Sequence, residues 1–113
     1  MTEDEFFTEF RNRLNIKIEN YLIEIKSEKL TTYKDLYSLV EKYKNQLISD
    51  HYTIYEDLIE ENSLGINEKI LDPLSRSFIP LKLYLNTRCL YILADELTSY
   101  NQKVSPLLEA LQD

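Results

Sequence analysis

A chain with a single glycine, Gly65, in 113 residues has few ways of turning sharply back on itself. Tight hairpins, bulges and phosphate-cradling loops draw on glycine for backbone conformations with positive φ. With only three prolines as well, the sequence predicts helices joined by short connections. The length suits one domain, residues 1–113, able to bury roughly two-thirds of its unfolded surface in one core.

Hydrophobic spacing then divides the chain. Thr2 and Glu5 have the spacing of a capping box, and a first helix is predicted from about Glu3 to Glu28. Phe7, Phe10, Leu14, Ile18, Tyr21 and Ile25 share its predicted core face, while Ile16, Ile23 and Leu30 fall nearly opposite as a second apolar stripe. Thr32 and Asp35 open a second helix with a seam of Tyr33, Leu36, Val40, Tyr43 and Leu47, expected to end near Ile48 where Ser49 and Asp50 punctuate. Thr53 and Glu56 mark another start, as a separate short helix or a kinked continuation, closed by Gly65 in a left-handed cap.

Helix is expected again from Asn67, with kinks or restarts at Asp72-Pro73 and Ile79-Pro80. After Pro80, Leu83, Leu90, Leu93, Leu97, Tyr100 and Val104 share one face and Leu81, Leu85 and Ile92 lie almost opposite. A helix apolar on most sides belongs at the centre of its bundle. Ser105-Pro106 predicts a short terminal helix bearing Leu107, Leu108 and Leu111. The expected fold is all-α: a compact bundle of four to five mainly antiparallel helices, with Ile16, Ile23 and Leu30 adding the expectation of a dimer.

Charge is unevenly spread. The net charge is −7, and residues 51–72 hold six acids against one base, where residues 1–50 hold ten against eight and residues 73–113 four against four. Scattered lysines and arginines with no basic stripe argue against a nucleic-acid ligand. The acidic start, Thr2 to Glu5, is unlike a secretion leader, and Lys82, Arg88, Asp95 and Glu96 interrupt the most apolar stretch, so no membrane span is expected. One cysteine, Cys89, provides neither a disulfide nor a zinc cage, and a cytoplasmic setting is expected.

Few residues suggest chemistry. His51 is the only histidine. Phosphotransfer domains place a lysine and a glycine shortly after theirs, whereas Tyr52, Thr53, Ile54 and Tyr55 follow here, so a solvent-side or capping histidine is expected. Ile48 stands where a ferritin-like metal pair would need a glutamate. Cys89 has no base near in sequence and is expected to be a small buried residue. Arg88, Asp95 and Ser99 form a polar strip that reads as a solvent edge, and Asn86 reads as a buried residue fixing helix register. No metal and no cofactor are expected.

Glu56, Asp57, Glu60 and Glu61 form the densest charge cluster, and like charges one helical turn apart cost a few tenths of a kcal/mol per pair. Either they face solvent or they meet a basic partner. The expected role is a non-enzymatic protein-interaction module, a small acidic regulator or inhibitor that docks a basic surface through these four residues. Small helical immunity and antitoxin proteins are similar in size and charge, although no motif ties the chain to a named family. Two other expectations differ in class: a structural subunit or assembly chaperone working through apolar helix faces, and a small helical enzyme using Arg88 and Asp95 in a pocket.

Overall fold

The structure, a computed structural model, describes residues 2–64 and 68–111. Three long helices carry the fold: α1 (Glu3–Ser27), α2 (Tyr33–Glu61) and α3 (Leu81–Glu109). A small hairpin of β1 (Lys69–Leu71) and β2 (Phe78–Pro80) stands between the last two. The bundle of four to five helices is thus corrected to three. Compactness is corrected too, because the molecule measures 54 × 28 × 18 Å. Its radius of gyration of 17.3 Å exceeds the about 13 Å of a compact chain of this length.

Both predicted capping sites near the start are present. Thr2 accepts from the Glu5 amide at 3.2 Å and Thr32 from the Asp35 amide at 3.2 Å, so each helix begins with a satisfied donor. Helix α1 buries Phe6, Phe10, Leu14, Ile18, Leu22 and Ile25. Phe7 and Tyr21, placed on the core face from spacing, are only partly buried at its margin.

Helix α2 does not stop at Ile48. Its buried series continues from Leu47 through His51, Ile54 and Tyr55 to Leu58, and that unbroken seam outweighs the weak helix preference of Ser49 and Asp50. Asp50 accepts from the Tyr21 hydroxyl and from Gln46, which anchors the supposed punctuation inside the helix. The expected cap at Gly65 and the expected restart at Asn67 lie outside the described residues.

Cross-helix bonds fix the directions. Tyr21 with Asp50 and Tyr43 with Glu24 set α1 against α2 in antiparallel order. The Tyr55 hydroxyl donates to the Lys82 carbonyl at 2.8 Å and Tyr100 to the Val40 carbonyl at 2.8 Å, so α3 also runs antiparallel to α2. Helices α1 and α3 lie parallel, joined by Tyr84 to Glu3 at one end and Arg11 to Glu96 farther along.

Where helix was expected from Asn67 onward, residues 69–80 form the hairpin instead, with Ile70 opposite Ile79. Asp72 does act as a cap, but on a reverse turn: its carboxylate accepts from the Leu74 amide at 3.1 Å and the Ser75 hydroxyl at 2.8 Å. The Ser75 hydroxyl holds the Asp72 carboxyl below its ordinary pKa. Arg76 supplies the left-handed residue, at φ 56°, that glycine would ordinarily supply. Pro80 ends β2 and is itself the N-cap of α3, and the Leu81 amide bonds the Glu68 carbonyl at 2.7 Å.

Helix α3 is an outer helix with one buried seam: Leu85, Cys89, Leu93, Glu96, Tyr100 and Val104. The central position expected for this helix is corrected: of the face shared by Leu83, Leu90, Leu93, Leu97, Tyr100 and Val104, Leu93, Tyr100 and Val104 are buried, whereas Leu83 and Leu90 remain 53% and 46% exposed. The predicted terminal helix after Ser105 is also corrected. Pro106 lies inside α3, held there by buried Val104 and by Leu107 and Leu108 packing against the core.

Candidate functional site

The acidic cluster rises from the C-terminal half of α2. Ile54, Leu58 and Ile59 are buried there, which turns Glu56, Asp57 and Glu60 outward on an unbroken helix. Glu61 points toward α1 and binds Arg13 at 2.7 Å, and Arg13 also holds Glu9 at 2.9 Å. These two carboxylates raise the Arg13 pKa further. The four clustered acids therefore divide: Glu61 ties two helices together, whereas Glu56, Asp57 and Glu60 have no ion pair among the described residues.

An aromatic residue stands beside the three. Tyr52 is 53% exposed, one turn before Glu56, with its ring 6.1 Å from the buried ring of Tyr55. Hydrogen bonding to the Glu56 carboxylate raises the Tyr52 pKa, so the phenol and the acid are positioned as a pair. Ile48, 42% exposed one turn earlier, extends this face. The outer side of α2 thus combines three carboxylates with an ordered tyrosine and an aliphatic residue, a composition able to desolvate a partner as well as attract one.

The proposed partner stripe on α1 is not continuous. Ile16 and Ile23 are 59% and 65% exposed, whereas Leu30 packs against the core. Arg88 and Asp95 do not converge: Arg88 sits over the Phe7 ring at 6.0 Å, and Asp95 lies 3.9 Å from Arg11. His51 is buried rather than solvent-facing or capping, with Nδ1 against the Ile48 carbonyl. Cys89 is fully buried, and burial pushes its thiol pKa up to about 12. Asn86 is only half-buried. No group of three or more metal-ligating side chains is placed to hold an ion among the described residues, and no described helix is long and apolar enough to cross a membrane.

One surface escaped sequence reasoning. The hairpin lies over the N-terminal half of α3 and leaves a cleft of about 450 Å³, lined chiefly by Leu74, Ile79, Leu83, Thr87, Arg88 and Tyr91. Leu74 is 94% exposed, Phe78 72% and Tyr91 62%. The available signal was two short apolar pairs, Ile70-Leu71 and Phe78-Ile79, about a turn rich in serine, too short to outweigh a helical reading. No family model, no curated protein and no solved structure matches the chain.

Proposed function

We propose that this chain is a protein-interaction module, a small acidic regulator or inhibitor that docks a basic partner surface through the outer face of α2. The observation that carries this reading is the grouping of Glu56, Asp57 and Glu60, exposed and without an ion pair among the described residues, beside the ordered ring of Tyr52. Local stability gives no reason for three such acids on adjacent rows of one helix. A basic partner does, because complementary charge raises the encounter rate and fixes register, while Tyr52 and Ile48 supply apolar area. Glu61 belongs to the fold rather than to the docking face.

The test is capture of partners on the immobilised chain, followed by measured affinities for the wild type and for Glu56→Lys/Asp57→Lys/Glu60→Lys. Reversal should weaken a genuine partner by about tenfold or more, and raising salt from about 50 to about 500 mM should weaken the wild-type complex. A partner held equally by both proteins and indifferent to salt would defeat the reading and favour a chain that assembles through its apolar faces.

A further inference from the structure

With nine tyrosines and no tryptophan, the phenols are the readily oxidised rings of this chain, and the fold sorts them. A phenol gives up an electron easily only when a base within hydrogen-bond reach takes its proton in the same step, because the protonated radical is a strong acid. Four hydroxyls have a carboxylate beside them: Tyr21 donates to Asp50, Tyr43 to Glu24, Tyr84 to Glu3 and Tyr52 to Glu56. Tyr55 and Tyr100 donate to the Lys82 and Val40 carbonyls, which do not act as bases. Joining two rings also needs a second phenol in face contact. Tyr84 meets the Phe7 ring, and Tyr52 meets Tyr55 at a tilt of 42°. Tyr33 and Tyr37 are stacked and more exposed, but their centroids stand 6.0 Å apart and neither belongs to the four that bond a carboxylate. Among the described residues, Tyr21 and Tyr43 alone meet both conditions, with centroids 4.7 Å apart, planes within 19° and a carboxylate for each hydroxyl.

We infer that Tyr21 and Tyr43 form an oxidative cross-linking site, at which a one-electron oxidant, such as a ferryl haem or a photogenerated ruthenium(III) complex, joins α1 to α2 through a carbon–carbon bond. One electron leaves each ring for the oxidant, as the Tyr21 proton passes to Asp50 and the Tyr43 proton to Glu24. Lys42 lies over the Tyr43 ring at 5.5 Å, which penalises a cationic radical there and favours the neutral phenoxyl. The two unpaired electrons then form one bond between ring carbons ortho to the oxygens. Each joined carbon sheds its hydrogen as a proton, and each oxygen regains a proton from its carboxylate, restoring both phenols. In sum two electrons go to the oxidant and two protons to solvent, and two C–H bonds are replaced by one C–C bond. The bridge closes a loop of about 22 residues and so removes freedom from the unfolded chain. It lies about 20 Å along α2 from Glu56 and does not rest on the docking role of that face.

Illumination of the full chain with ruthenium trisbipyridyl and persulfate at low protein concentration, followed by intact-mass measurement and peptide mapping, tests the site. The expected product is a monomer lighter by two hydrogen atoms, with Tyr21 joined to Tyr43 and a Tm raised by about 10 °C. Tyr21→Phe and Tyr43→Phe, which keep the rings, should each abolish it. Glu24→Gln combined with Asp50→Asn keeps acceptors of the same shape but removes both bases, and should slow bridging about tenfold. Concentrated phosphate, a mobile base, should restore much of that rate, a rescue that loosened helices would not show. Absence of the bridge, a link between Tyr33 and Tyr37 in its place, or covalent dimers in its place would overturn the inference. So would a Tyr21–Tyr43 bridge that forms equally fast without the two carboxylates.

Discussion

Replacing Tyr100 by phenylalanine isolates one of the two tyrosine bonds that set α3 against α2. The Tyr100 ring is fully buried and its hydroxyl donates to the Val40 carbonyl at 2.8 Å, across 60 residues of sequence. Removing the oxygen deletes one buried hydrogen bond but leaves no orphan, because the Val40 carbonyl keeps its intrahelical partner inside α2. The expected cost is therefore about 1 kcal/mol, the net worth of an ordinary protein hydrogen bond. A chain of this size has an unfolding entropy that converts this cost into a fall in Tm of about 4 °C. Tyr100→Ala removes the ring as well and should cost about 3–5 kcal/mol, or about 12–20 °C. Calorimetry, with urea unfolding to confirm an unchanged m-value, measures both. A phenylalanine variant as stable as wild type would refute the proposed register of α3 on α2, and one as damaged as the alanine variant would refute the claim that Val40 remains satisfied.

Two more predictions follow from the same packing. Burial raises the pKa of Tyr55 to about 12 and shifts Tyr21 and Tyr100 upward as well. Since an unfolded tyrosine titrates near 10, the folded state holds protons that the unfolded state releases. Stability should thus be full below about pH 10 and decline as pH climbs through about 12. Tyrosinate absorbance followed together with circular dichroism should show the last phenols ionising only as helix is lost. Separately, Pro106→Ala should raise Tm by several degrees, because proline within α3 removes a backbone donor near the helix end; an unchanged or lower Tm would mean that the last turn is not helical.

Local signals were legible where one residue decides the outcome. Thr2 and Thr32 announce their helices, since a hydroxyl and an amide three residues apart satisfy each other without distant help. Signals that depend on the rest of the chain were not. Ser49 and Asp50 resemble a helix stop until Leu47, His51 and Leu58 are seen to share one buried seam. The hairpin was discounted for want of glycine, yet Arg76 adopts the positive φ and Asp72 caps the turn. In α3 the apolar residues suggested a helix buried on most sides, because the single buried seam takes Leu85 from one stripe and Leu93, Tyr100 and Val104 from the other and is diluted by Cys89 and Glu96, and Glu96 is tolerable there because Arg11 reaches it from 85 residues away.

The elongated shape explains why the candidate surfaces exist at all. Helices of 29 residues are about 43 Å long, and three of them side by side make a bundle with no central helix, so each must leave an outer face to solvent. The accessible surface of 7549 Å² exceeds the about 6,500 Å² of a compact monomer of this mass by roughly 1,000 Å². With 43% hydrophobic residues in the chain, some of that surplus has to be apolar. It is not scattered evenly: Leu74, Phe78, Leu83 and Tyr91 gather on the hairpin and the adjoining part of α3.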